Sequence, residues 1–242
     1  LESDDLPFEE GESDLTVWVE WAASVHGSAN LTAKGSQGGD LDTLTFHTFR
    51  SVAIVVGGFN QTPADPPADG DGFFQIAIDL YRSGWDAHMY AQSHVAFPPD
   101  PNDPNAPAVG TGDAYDEVVN AVENRHVEFV GIVGFSWGGG AIYNLADGLA
   151  QSGTGVELRY TAYLDAITRG LFFAETRRPP GSVYHANHFQ ENGFLHGAAM
   201  QEDERDEQQN HNGTDHSDLD DTAAIRNLIR DGLTDPLKPQ LG

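Results

Sequence analysis

Cysteine is missing altogether and lysine nearly so: the 242-residue chain holds no Cys and only Lys34 and Lys238. Without thiols there is no disulfide, no thiolate metal site and no cysteine nucleophile. No apolar run approaches the roughly 20 residues that cross a bilayer as a helix, so no integral membrane segment is expected. Basic residues are scarce as a class, 12 Lys and Arg against 38 Asp and Glu, for a formal charge of −26. Such a field repels phosphate backbones and anionic lipid, which makes nucleic acid and anionic membranes poor partners. Salt screens the self-repulsion that this charge creates, so a halophilic or marine source is expected, an acidic mesophile being the plainer alternative. The chain opens at Leu1 rather than Met. A removed signal segment, and hence secretion, is one expectation from that, and a cloning remnant the other.

What is present is enough apolar residue, 39% of the chain, to bury a full core, and one α/β domain over residues 1–242 is expected. The most informative stretch is Val127 to Leu149, VEFVGIVGFSWGGGAIYNLADGL. An apolar run to Val133 meets Gly134-Phe135-Ser136-Trp137-Gly138, and residues of helical periodicity follow at once. A strand that turns sharply into a helix with Ser at the apex needs small neighbours, because the apex backbone is strained. Gly134 and Gly138 supply them. The turn lifts the Ser136 hydroxyl off the sheet and aims the first helical N–H groups at whatever it attacks, the arrangement called a nucleophile elbow.

In chain order, residues 1–13 read as a loose acidic lead-in and Leu15 to Trp21 as an antiparallel edge strand. Gly27 to Asp42 suggests a hairpin-like connection, and Leu44 to Phe49 a second short strand. Ser51 to Val56, apolar throughout, suits a strand covered on both faces and ends at Gly57-Gly58-Phe59-Asn60. Asp65, Asp69 and Asp71 faintly suggest a calcium loop, but no bidentate Glu follows, and a helix cap at Asp71 is preferred. The helix over Phe73 to Arg82 should bury Phe74, Ala77, Ile78 and Tyr81. A strand at Ala87 to Ala91 leads to a Pro-rich loop, His94 to Thr111, and then to a helix capped by Asp113 that buries Tyr115, Val118, Val119 and Val122. After the elbow helix, with Ile142, Leu145 and Leu149 inward, come strands at Leu158 to Leu164 and, as the last, Ser182 to Phe189. Glu191 to Asp215 reads as a polar loop with one helical turn at most. A Ser217 and Asp218 cap opens a terminal helix with Leu219, Thr222, Ile225 and Ile229 inward, and residues 235–242 form a tail. Strands alternating with helices predict a mostly parallel, doubly wound sheet with helices on both faces and antiparallel N-terminal edge strands, its ligands outside the carboxyl ends of the strands.

A serine hydroxyl needs a base to take its proton and a third group to orient that base. Asp165, ending the strand after the elbow helix, is the best-placed acid; Asp147 on the elbow helix and Asp215 beside the histidine in sequence are its rivals. Of ten histidines, His26, His47, His88 and His126 fall in early strands or turns and read as structural. His216, in a loop just before a capped helix, is the preferred base, and His211 the alternative. His185 and His188 with His196 or His211 could be read as a zinc cluster, but a strand turns the first two to opposite faces. No metal or other cofactor is called for. The developing oxyanion needs donors, each worth roughly 3 to 4 kcal/mol, and the backbone N–H groups of Trp137 and Phe59 fall where they are required. Their rings, with Phe135, are free to line an apolar or aromatic-tolerant slot.

Gly57-Gly58-Phe59, GFSWGGG at Gly134 to Gly140, Tyr163-Leu164-Asp165 and His216-Ser217-Asp218-Leu219-Asp220 together resemble the α/β-hydrolase superfamily, specifically its lipase/esterase-like members, over residues 51 to 233. The resemblance implies a triad of Ser136, Asp165 and His216, an oxyanion hole at Phe59 and Trp137, and cleavage of small or lipid-like carboxylic esters through an acyl-enzyme. Ser136 followed by the glycine run is similar to lipases and cutinase-like polyester hydrolases. Two departures stand out: a Gly replaces the usual His before the oxyanion glycine, and the acid comes one strand earlier than in most members. The short segment between Asp165 and Ser182 leaves little room for a helical cap, so an open site is expected. Acyl transfer, amide hydrolysis and a non-catalytic binding role on the same fold are the alternatives.

Overall fold

The structure, a computed structural model, describes residues 27–34, 40–63, 72–95, 112–168 and 172–235. The predicted edge strand at Leu15 to Trp21, His26, the Asp65 to Asp71 loop with its cap, most of the Pro-rich loop and both chain ends lie outside them.

Strands β1 (Gly27–Lys34) and β2 (Asp40–Thr48) pair antiparallel, with Leu31 opposite Leu44. Thr45 Oγ1 donates across the pair to Asn30 Oδ1 at 2.8 Å. The two strands are longer than the sequence suggests and form a sheet of their own, so they are not the antiparallel edge of the main sheet that was expected. Polar cross-strand pairs such as Thr32 with Thr43 stabilise a hairpin without requiring a neighbouring strand.

Six further strands build the main sheet: β3 (Ser51–Val56), β4 (Asp86–Tyr90), β5 (Phe129–Phe135), β6 (Leu158–Leu164), β7 (Ser182–Phe189) and β8 (Glu207–Asn210). Their order across the sheet is β4-β3-β5-β6-β7-β8, and every neighbouring pair is parallel. A parallel sheet needs cover on both faces, and β3 shows how its residues meet that need. Val52, Ile54 and Val56 face one apolar cluster, packed by α2 (Asp113–Glu123) and α3 (Trp137–Ser152). Ala53 and Val55 face the other, packed by α1 (Gln75–Arg82) and the last helix among the described residues. The strand period of two thus assigns alternate residues to two cores.

Several local expectations are corrected. Helix α1 follows a 3-10 turn at Gly72–Phe74 that turns both Phe73 and Phe74 inward. The helix then meets the sheet through Ile76, Ala77 and Leu80, leaving Tyr81 exposed. Asp113 does not cap α2; Gly112 takes the cap position, and the Asp113 carboxylate instead accepts from His94 Nδ1 at 2.5 Å. Strand β7 is not the last: β8 continues the sheet with Glu207-Gln208-Gln209-Asn210, a run with no apolar residue for periodicity to detect. The single terminal helix is two pieces, α4 (His216–Leu219) and α5 (Ala223–Thr234), and Ser217 lies inside the first rather than capping it. The break falls at Asp220, whose carbonyl accepts from Arg226 Nη1 at 3.0 Å rather than continuing the helical ladder. Helix α5 buries Ile225, Ile229 and Leu233 against α1 and the sheet.

From β3 the chain moves outward to β4, then returns across β3 to β5. Neighbouring strands β3 and β5 therefore lead their crossovers to opposite sides, which opens a crevice at their carboxyl ends, the place where such sheets bind ligands. Gly57 follows β3 there and Ser136 follows β5. Among the described residues no helix is long and apolar enough to cross a membrane.

Candidate active site

Ser136 sits between the end of β5 and the start of α3 with φ 52° and ψ −123°. A non-glycine residue held there costs about 1–3 kcal/mol, so the surroundings must impose it. Ser136 N–H donates to the Leu164 carbonyl at 2.9 Å, and the Ser136 carbonyl accepts from Gly139 and Ile167, each at 2.9 Å. Gly138 must be glycine, because a Cβ there would overlap the carbonyl oxygens of Val56 and Gly57. Gly58 is constrained likewise: its Cβ would lie 2.9 Å from that of Ser136, so the backbone after β3 presses directly on the serine.

Asp165, at the carboxyl end of β6, is fully buried and also has positive φ, 48°. Its side chain accepts four hydrogen bonds. Oδ1 takes the backbone N–H groups of Gly197 at 2.6 Å and Gln190 at 3.0 Å; Oδ2 takes Gln190 Nε2 at 2.7 Å and His216 Nδ1 at 2.5 Å. Every partner is a donor, an arrangement that suits a carboxylate and fixes its plane.

His216 opens α4, rather than lying in the loop before a capped helix. With Nδ1 donating to Asp165, Nε2 is left to accept from Ser136 Oγ, 2.8 Å away. The ring stacks on Phe135 at 5.3 Å between centroids, so the residue before the serine also holds this imidazole. Ser136, Asp165 and His216 thus form one hydrogen-bonded line, in which the imidazole can take the hydroxyl proton while the carboxylate holds the ring.

The rival residues lie elsewhere. His211 Nε2 is 3.3 Å from His188 Nδ1, and burial lowers its pKa against the pull of Asp165. Asp147 accepts from Gln151 along α3, and Asp215 is the residue before α4. Of the histidines weighed as a zinc cluster only His188 and His211 meet, and His185 and His196 turn to other partners. His185 Nδ1 meets Thr161 Oγ1 at 2.7 Å, His188 meets His211, and His196 Nδ1 donates to the Gly197 carbonyl. Among the described residues only Asp86, His88 and Glu117 gather as a metal site would, and the Arg125 guanidinium already bridges Asp86 and Glu117.

A cavity of about 450 Å³ opens over the serine. Phe59 and Trp137 both line it, their rings edge to face at 4.8 Å. Trp137 is the first residue of α3, and the first N–H of a helix has no partner within it, so the Trp137 N–H can face an anion beside Ser136. The aromatic row continues from Trp137 to Phe172 at 5.8 Å and from Phe172 to Phe194 at 6.4 Å. Phe172, Leu195, Gln61, Ser217 and Asp220 complete the lining without having been singled out in sequence for this site. Only Ser217 and Asp220 carried a signal, their place in the stretch His216-Ser217-Asp218-Leu219-Asp220. No helix occurs between Asp165 and Ser182 among the described residues.

Compared with protein-family models the chain matches none, and none of the curated proteins matches it.

Proposed function

We propose that the protein is a serine hydrolase that cleaves carboxylic esters, on an α/β-hydrolase fold. The observation that carries the reading is the line Ser136 Oγ, His216 Nε2, His216 Nδ1, Asp165 Oδ2, with spacings of 2.8 and 2.5 Å, set in a cavity at the switch point of a parallel sheet. The strained serine between β5 and α3 supports the fold assignment, as does the order of serine, acid and histidine along the chain.

In this mechanism Ser136 Oγ attacks the ester carbonyl carbon as its proton passes to His216 Nε2. The carbonyl oxygen becomes an oxyanion facing the backbone N–H groups of Trp137 and Phe59. Collapse of the tetrahedral adduct breaks the bond to the alkoxy oxygen, which leaves as the alcohol with the proton from Nε2. Water then repeats the sequence on the acyl-enzyme, again giving its proton to His216 and returning Ser136. Asp165 keeps the tautomer and steadies the imidazolium without taking the proton.

The aromatic lining favours an apolar acyl or aromatic group, and the net charge of −26 disfavours anionic substrates. A chain-length series of p-nitrophenyl esters tests the reading: turnover is expected in the wild type and lost in Ser136→Ala. Repeating it at low and high salt tests whether the acidic surface is a halophilic adaptation. Phe172, half exposed at the cavity, gives a second readout. Completing its burial against an acyl chain is worth about 1 kcal/mol, so Phe172→Ser should raise KM roughly 5-fold for long acyl chains and leave the acetate ester unchanged.

A further inference from the structure

Asp220 lies at the cavity beside His216 but takes no part in the proton transfers above. It is 2% exposed, and it meets an amide: Gln61 Nε2 donates to Asp220 Oδ2 at 2.6 Å. The other end of the same amide, Gln61 Oε1, accepts from the Gly58 N–H at 2.7 Å. These partners leave the amide one orientation. A backbone N–H can only donate and a carboxylate only accept, so a flipped Gln61 would oppose donor to donor and acceptor to acceptor. Gln61 also closes the turn after β3, its N–H reaching the Gly58 carbonyl at 3.2 Å, with Asn60 left-handed at φ 60°. The link joins residues 159 apart in sequence, the turn carrying Phe59 and the segment carrying His216. Gly58 in turn packs against Ser136 without room for a side chain, so a shift of this turn moves the oxyanion donor relative to the nucleophile.

We propose that Gln61 and Asp220 are positioning residues: Asp220 orients the Gln61 amide, and Gln61 holds the Gly58–Phe59 backbone where its N–H can meet the oxyanion. The inference rests on the hydrolase reading and extends it to how the oxyanion site is kept in register with the base. A different role for Asp220, as a second negative charge stabilising the His216 imidazolium, makes the opposite prediction for the isosteric amide.

The test uses p-nitrophenyl acetate at about pH 8, above the value of about 6 to which burial raises Asp220, so that the group is a carboxylate. Asp220→Asn keeps an acceptor for Gln61 and should hold kcat within about 3-fold of wild type. Gln61→Met and Asp220→Leu should each lower kcat roughly 10- to 100-fold with KM little changed, since the donor is displaced rather than removed. The double variant Gln61→Met/Asp220→Leu should lose little more than either single one, because both break the same link. Thermal unfolding shows which variants fold; should Asp220→Leu not fold, the half-buried Gln61→Met and the isosteric Asp220→Asn still decide. Wild-type kcat in Gln61→Met overturns the proposal, and so does a loss in Asp220→Asn as large as that in Gln61→Met. A wild-type protein that turns over no ester and reacts with no serine-directed probe removes the hydrolase reading as well, whereas active enzyme with unaffected variants removes only this inference.

Discussion

His216→Ala is expected to lower kcat for ester hydrolysis by on the order of 10⁴- to 10⁶-fold, with the fold retained. The imidazole is the group within reach of the Ser136 hydroxyl, at 2.8 Å, and without it the serine must attack with its proton in place. The side chain is partly exposed at the cavity, stacked on Phe135 rather than filling the core, so its removal should cost little stability. Ser136→Ala should lose a similar amount, and the double variant no more than either single one, because nucleophile and base act as a unit. Steady-state kinetics on the three variants, with circular dichroism to verify folding, checks the expectation; additive losses would show that the two residues act independently.

Acid should destabilise the protein through a residue outside the site. His185 is fully buried on β7, and burial, aided by the nearby Arg178 charge and by His188, pushes its pKa down to about 3 despite the hydrogen bond with Thr161. In the unfolded chain the same group titrates near 6.5. Between these values the unfolded state binds the extra proton, so this group's contribution is complete above about pH 6.5 and is lost as pH falls toward about 3. For His185 alone the loss between about pH 7 and pH 4 is about 3 kcal/mol. Asp220, raised to about 6, works in the opposite sense over about pH 4 to 6 and offsets part of it. The two are separated by His185→Gln, which keeps a hydrogen-bonding group for Thr161 and cannot titrate. Urea unfolding across this range should show wild type losing about 3 kcal/mol more than the variant. Parallel pH profiles for the two proteins would refute the assignment.

The main sheet and the meeting of three side chains were largely legible because their signals are local. The apolar runs over β3, β5 and β6 needed no partner to be recognised, and the glycines around Ser136 report a backbone requirement that any surrounding structure must meet. What was not legible depends on distant contacts. Strand β8 carries no apolar residue, and β7 recruits it through backbone pairing. The terminal helix breaks at Asp220 because that residue's carbonyl binds Arg226 while its side chain serves Gln61 across the site. Three of the donors around Asp165 come from Gln190 and Gly197, in and beside a stretch whose polar composition reads as plain loop. His216 was expected in a loop and instead begins α4, since periodicity does not mark a four-residue helix.

Treating the folded protein with a fluorophosphonate probe and mapping the adduct by mass spectrometry tests the central claim most directly. One adduct is expected, on Ser136, absent from Ser136→Ala and formed far more slowly in His216→Ala. Folded protein that takes no adduct, or takes it on another serine at a rate unaffected by these substitutions, would contradict it.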